Sequence, residues 1–346
     1  MAMGFGRYVS YRVVNAVIIL FLAVLLMSAL FTKLATIQLN TQVNSEVQMW
    51  VQNYFKTHHQ APSKELILQY KAERMHYYGL DKPYWERAWM YTIDTFFVKW
   101  GNSIQPVFGT HSVTSQIKTA LARTVLLFTT AQIIIILIGL ALGVKSAQKP
   151  GSLLDRTVSI LAMFTTSLPM WWLGMLMILL FVVSLGWLPI TLYSQTAVSG
   201  WVNILKKMSL PVLTIVFVSF GGWSWIIRNI MIGTMQEDFI MVARAKGVPE
   251  RKVIYGHALR AAAPPIVTMI IFAMIGSLSG AIITEIVFNW PGMGRLYWEA
   301  IQLNAVRTMM ALNYMFAFLI VFSMVLADVL YGYLDPRVRV GASARS

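Results

Sequence analysis

Long apolar runs separated by short polar breaks dominate the chain. Six of them are long enough to cross a hydrocarbon core, which takes about 20 helical residues. They are Tyr11–Lys33, Thr119–Val144, Thr157–Trp187, Met208–Met231, Pro265–Phe288 and Met309–Tyr333. Two polar stretches interrupt the pattern. The first, residues 34–118, is too long for a simple connection. Within it Ser63–Tyr78 reads as a helix capped by Ser63 and stopped by Gly79, and Val43–Phe55 reads as a second amphipathic helix. The second stretch runs from Asp238 to Pro265. There Gly247, free of Cβ constraints, stands between two helical patterns and predicts a sharp turn. Pro249 suits the first turn of the next helix, and Glu250 complements its positive end. On that helix Val253, Ile254, His257 and Ala258 are expected to share a face, and Pro264-Pro265 to end it and start the fifth span.

The predicted fold is an all-α integral membrane protein with six transmembrane helices. Its parts are a tail and first span (1–33), an external, partly helical segment (34–118), a five-span core (119–339) with a polar loop over 232–264, and a tail (340–346). The first run is too long for a cleaved leader and lacks a small-residue cleavage site, so it is read as a retained anchor. Pro169, beside Trp171 and Trp172, predicts a kink in the third span. Gly139 with Gly143, and Gly276 with Gly280, are four apart and predict close helix packing.

Composition agrees with a membrane protein: 57% of residues are hydrophobic and 12% charged. A soluble domain carries roughly 25% charged residues. The net charge of +14 suggests nucleic acid only until its distribution is read. Arg7, Arg12, Lys145, Lys149, Arg156, Arg228, Arg244, Lys246, Arg251, Lys252 and Arg260 fall in alternate inter-span segments, with few acids beside them. Basic residues in short loops mark the cytoplasmic side. Both termini are therefore expected in the cytoplasm, with the lipid bilayer as a partner and no nucleic acid.

The residues point away from chemistry carried out by this chain. There is no cysteine, no GxxxxGK[ST] phosphate loop, no HExxH and no GxSxG. His58 and His59 read as a solvated pair, so no metal site and no catalytic residue is assigned. A carrier driven by protons or sodium ions is the rival class, and it usually keeps charges at mid-bilayer. Here the span middles hold neutral groups such as Gln132, Thr165, Thr166, Ser219 and Ser279. Glu285 and Asp328 lie near span ends, the latter read as an end-cap beside Tyr331 and the Asp335–Arg337–Arg339 cluster.

ARAKG, then HALR, then a proline eighteen residues after Gly247, resembles the cytoplasmic loop of ABC importer permeases of the dipeptide/oligopeptide class. YGLDKPYWERAW (78–89), SLPMWWLGMLMI (167–178), TEIVFNWPGMGRL (284–296) and ADVLYGYLDPRVR (327–339) are similar to further segments of that family, in its order. The chain departs from it at Ala261 and Pro264, lacks the PGDP after the first span, has Trp100-Gly101-Asn102-Ser103 for GDLG, and has Asn304-Ala305-Val306 for Asp-Tyr-Pro.

The resemblance implies a permease subunit that binds no cofactor, with ATP and magnesium held by two partner ATPases. It further implies a second, homologous permease subunit forming a heterodimer and an extracytoplasmic substrate-binding protein. The loop would carry a coupling helix over Val248–Ala262, with Ala243, Arg244, Ala245, Lys246, Gly247, Pro249, Val253, Ile254, His257 and Arg260 as the ATPase-coupling residues. Candidates for the pathway and its gate are Met163, Ser167, Trp171, Phe220, Trp223, Ser277 and Glu285, with Pro291 and Gly292 in an external turn. Peptides lead as substrate, with oligosaccharides or nickel complexes as alternatives. The external aromatics Trp50, Tyr54, Tyr77, Tyr78, Trp85, Trp89 and Tyr91 suit sugar stacking or a docking surface equally.

Overall fold

A computed structural model describes residues 5–189 and 200–334. The expected tail over 340–346 and the Asp335–Arg337–Arg339 cap lie outside the described residues. In chain order the elements are α1 (Phe5–His58), α2 (Lys64–Tyr77), α3 (Tyr84–Phe96), β1 (Asn102–Val107), β2 (Thr110–Ser112) and α4 (Val113–Gln148). There follow α5 (Leu153–Ser167), α6 (Met170–Ser184), α7 (Trp201–Met235), α8 (Asp238–Ala245) and α9 (Glu250–Ser279). The last are α10 (Ile282–Val287), α11 (Met293–Gln302) and α12 (Val306–Leu334). Among the described residues five helices are long and apolar enough to span a membrane, or six if α5 and α6, bent by 93° to each other, count as one span. The kink expected at Pro169 is thus a sharp break, because proline can start a helix but cannot continue one without losing a backbone bond.

Three boundaries differ from the sequence expectation. The first span does not end near Lys33: α1 is a single helix of 54 residues, about 80 Å at 1.5 Å per residue, so Val43–Phe55 is its continuation. No glycine or proline lies between Lys33 and His58 to stop it. The fifth span starts earlier and ends earlier, because Pro264 and Pro265 sit inside α9. Gly280, at φ +68°, then breaks the chain before the short α10. The β1–β2 hairpin has no counterpart in the sequence expectation. Its two-residue turn has Phe108 and Gly109 at positive φ, as hairpin turns matched to strand twist require.

The chain divides into two compact units. Of the described residues, one unit comprises 5–12, 119–189, 200–295 and 322–334. Its centre is the pairing of α4 with α7. A Cβ at Gly139 would lie 2.9 Å from Trp223 Cβ, and one at Gly143 would lie 2.7 Å from the Ser224 carbonyl oxygen. These glycines therefore let the two backbones meet, as their spacing predicts. Gly221 does the same for α7 against Ala162 of α5. A Cβ at Gly276 would meet no other group within 4 Å among the described residues, so the Gly276–Gly280 pair is no packing stripe. Asp328, expected as an end-cap, pairs with Arg12 at 3.1 Å.

The other unit comprises 13–118 and 296–321. Ser63 caps α2, its Oγ accepting from Leu66 N at 3.2 Å, as predicted. Trp50 of α1 stacks on Tyr70 of α2 at 4.6 Å between centroids, and Phe21 of α1 packs edge-on against Trp89 and Phe96 of α3. Thr308 Oγ1 donates to Gln116 Oε1, whose amide donates to the Thr110 carbonyl, tying the start of α12 to the hairpin.

Gly143→Leu is expected to lower stability by about 1–3 kcal/mol, the usual cost of overpacking. A thermal melt of the purified chain in detergent reads this as a lower midpoint. Gly276→Leu, facing open space, leaves the midpoint unchanged.

Candidate functional site

The segment after α7 folds as a platform. Glu237 provides an extended residue before α8, and Asp238 places negative charge at the helix's positive end. Ile240 and Ala243, three apart, are buried on one side of α8. They pack into a core with Val144 and Ala147 of α4, Ile227 and Met231 of α7, and Val253, Ile254 and Ala258 of α9. Burying one isoleucine side chain stabilises by about 1.5–3 kcal/mol. The platform is therefore held to the helices behind it and does not hang as a loose connection.

Gly247 closes α8 at φ +75°. The Val248 amide donates to the Ala243 carbonyl at 3.2 Å and the Gly247 amide to the Arg244 carbonyl at 2.9 Å. That is the paired 6→1 and 5→2 pattern of a glycine-terminated helix. Arg244 then reaches over the turn, donating through Nε (3.1 Å) and Nη2 (2.7 Å) to the two oxygens of Glu250. The hydrogen bonds to Glu250 raise Arg244 above its ordinary value. Pro249 precedes α9, where the sequence places it.

The predicted face on α9 needs correction. Val253, Ile254 and Ala258 are buried, but His257 is exposed, because residues 253–258 wind as a π-helix and rotate the later positions. Nor does a separate helix end at Pro264-Pro265: α9 runs on through both prolines. The free-standing short helix is α8, not Val248–Ala262. Its outward side carries Phe239, Met241 and Val242, which are 47%, 54% and 51% exposed. Ala245, Lys246 and Arg260 are exposed with them. An apolar strip on a polar surface, on a rigid support, is suited to docking another protein.

The sequence reading misses one anchor of this region. Asp155, at the start of α5, is buried and accepts from Ser146 Oγ (2.7 Å), Gly151 N (2.7 Å) and Arg228 Nη2 (2.8 Å), with Arg228 Nε also donating to it. It ties the α4–α5 turn to α7 one turn before Met231. Its only sequence signal is an acid and an arginine each among apolar residues near a span end.

The route candidates separate into two groups. Met163, Ser167 and Trp171 are exposed, and Phe220 and Trp223 are half-buried. Ser277 is buried and bonds Thr129 Oγ1 at 3.0 Å. Glu285 is fully buried. It accepts from Thr124 Oγ1 (2.8 Å) and from Arg295 N (3.0 Å). Gly280 and Gly292 leave its space: a Cβ on either would lie 2.6 Å from its Oε1. Pro291 and Gly292 therefore belong to a turn fixed by a buried carboxylate.

Residues 135–340 match the family described as binding-protein-dependent transport system inner membrane component. The chain belongs to that family. The matched region contains the platform and α4–α9 from Ile135 onward, so the fold just described is that of an ABC importer permease, a transport subunit of the inner membrane and not an enzyme. The chain is similar to the oligopeptide transport system permease protein AppB of Bacillus subtilis, 29% identical over 271 residues, or 75% of this chain and 82% of the relative. It is 31% identical over 281 residues to the dipeptide transport system permease protein DppB of Alkalihalophilus pseudofirmus, covering 75% and 83%. It is 31% identical over 261 residues to the glutathione transport system permease protein GsiC of Salmonella choleraesuis, covering 75% and 81%.

In this permease Asp155→Ala strands Arg228 without its carboxylate, and is expected to cost about 3 kcal/mol. Arg244→Ala, at an exposed pair, is expected to cost less than about 1 kcal/mol. Melting midpoints of the two variants in the same detergent check this order.

Proposed function

We infer that this permease imports short peptides, using ATP hydrolysed by two partner subunits seated on the α8 platform. A second, homologous permease forms a heterodimer with it, and an extracytoplasmic binding protein delivers the substrate. Both termini and the platform lie in the cytoplasm, which accounts for the basic residues of the short loops. The carrying observation is that α8 has its inner side locked into the core through Ile240 and Ala243, while Phe239, Met241 and Val242 stand uncovered. A nucleotide-driven movement of a partner on that strip is passed to α4, α7 and α9 together. Transport then follows as a shift between two conformations that the partner contacts differently.

The coupling residues divide by what they touch. Arg244, Gly247 and Pro249 set the turn, and Ala243, Val253 and Ile254 hold it to the core. Ala245, Lys246, His257 and Arg260 are exposed beside the strip. Peptides are favoured over oligosaccharides and nickel complexes because relatives covering three quarters of the chain are named for oligopeptide, dipeptide and glutathione transport. Uptake of labelled dipeptides and tripeptides by the complete complex in liposomes, with oligosaccharides and a nickel chelate as competitors, tests the substrate class. Uptake that continues without ATP overturns the mechanism.

Met241→Asp is expected to reduce co-purification of the ATPase subunits and ATP-driven uptake at least about tenfold, without changing the melting midpoint of the permease. The side chain is exposed, so a surface substitution there alters folding by less than about 0.5 kcal/mol. Pull-down and melting on the same preparation separate lost docking from lost folding.

A further inference from the structure

The second unit contains a cleft for which the platform has no use. Its larger lobe is a cavity of about 450 Å³ between α1, α2, α3, β1 and the first turn of α12. Its wall includes Arg307, Arg74, Tyr77, Tyr78, Tyr91 and Ser103, and no acidic side chain. An adjoining lobe of about 380 Å³ shares Gln38, Gln42, Ile104 and Val306 with the first. It adds the apolar side chains Leu34, Ile37, Leu303 and Met309. The two lobes make a continuous groove with a cationic, phenol-lined end and a more apolar end.

Four observations define what fits. Arg74 is already neutralised, with Nε on Glu46 at 2.6 Å, and Tyr78 donates to the same carboxylate at 2.6 Å. Burial, and then Glu46, push the Tyr78 phenol up, so it keeps its proton. Arg307 is therefore the cation of the polar lobe with no ion pair among the described residues; the acid near its walls is Asp94, which lines the small neighbouring cavity that Arg307 also borders. Its guanidinium is seated over Gly101, where a Cβ would lie 2.9 Å from Nη1. Ser103 is 3% exposed, and its Oγ has no hydrogen-bond partner among the described residues. A buried hydroxyl left unpaired calls for a ligand group. Finally, β1 pairs only with β2 among the described residues, so its other edge has no partner strand. Its Ser103 and Ile104 line the polar lobe, and Ile104 and Gln105 the apolar one.

We propose that this groove binds a short peptide in extended form, with its free C-terminal carboxylate on Arg307 and its side chains toward the apolar lobe. The main chain of the peptide runs along β1 opposite the Gln38 and Gln42 amides. Strand addition to an open edge supplies sequence-independent hydrogen bonds, and pockets select alternate side chains. The volumes lie in the range of small-ligand sites, about 300–1,000 Å³. The ligand class rests on the peptide reading above, whereas the groove and its charge do not. In transport the site holds a peptide on the permease itself.

The test uses the full-length permease in lipid nanodiscs, without ATP or partner subunits. Calorimetry measures Ala-Phe-Leu, its C-terminal amide, maltotriose and acetate. The free tripeptide is expected to bind. Amidation and Arg307→Gln are each expected to weaken binding at least about tenfold, as for the loss of a charge-assisted hydrogen bond. Ser103→Ala weakens it less, and Gly101→Val displaces the guanidinium and acts like Arg307→Gln. Arg307 is exposed, so its variant melts normally and still captures the ATPase subunits through α8. The proposal is overturned if the tripeptide does not bind, if amidation and Arg307→Gln change nothing, or if acetate or maltotriose binds as tightly as the peptide. It is also overturned if only a substrate-binding protein, and no free peptide, binds in an Arg307-dependent manner. ATP-independent uptake by the complete complex refutes the importer reading but leaves this binding result untouched.

Discussion

The close contact of α4 with α7 is the constraint on which the functional surface depends. Gly139 and Gly143 bring the two backbones together, and Ile227 rests directly on Gly143. One turn later Met231 continues the same side of α7 into the core that receives Ile240, Ala243, Val253 and Ile254. The position of α8 is thus inherited from a helix crossing made of absent side chains. Hydrophobic association is weak between helices in lipid, so close van der Waals approach is the means available for fixing such a crossing. Asp155 and Arg228 add a polar fastening at the same level.

Two kinds of buried carboxylate serve this architecture. Asp155 secures the turn between α4 and α5 by collecting a hydroxyl, a backbone amide and a guanidinium. Glu285 organises the Pro291–Gly294 turn by accepting from the backbone and from Thr124, inside space that Gly280 and Gly292 keep clear. The sequence places Glu285 near the outer end of the fifth span and makes it a candidate for the route. In the structure it is buried and accepts hydrogen bonds from Thr124 and from the backbone of the turn beside α10. The change of role follows from satisfied hydrogen bonds, which periodicity does not reveal.

Much of the fold is legible in the sequence because lipid imposes a strong rule: apolar runs of sufficient length become helices. The second, fourth and sixth spans, the break at Pro169, the Ser63 cap and the Gly247 turn all follow from local chemistry. The failures share a cause. Local chemistry reads Pro264-Pro265 as a stop, yet inside a membrane helix the missing donor is tolerated when neighbours compensate. The face of α9 departs from its pattern at His257 because a π-helical stretch shifts the register without any mark in composition. The Asp155–Arg228 tie joins residues 73 positions apart, and the groove brings Arg307 to Ser103 across more than half of the chain. No local pattern spans such distances. For the platform, the sequence locates the segment and the turn, while packing decides which residues face outward.

The two prolines retained within α9 have a mechanical corollary. Neither carries a backbone N–H, so the helix lacks the bonds that would run back to the carbonyls of Arg260 and Ala261. Those two oxygens follow closely on Val253, Ile254 and Ala258, the residues that seat the foot of α9. With two ladder bonds missing, that turn resists bending less than a fully bonded stretch of helix. The helix thus has a compliant joint built in above its braced foot. On the proposed coupling, a push delivered at α8 would be taken up as flexure at that joint, with the apolar length beyond it pivoting as a stiff rod.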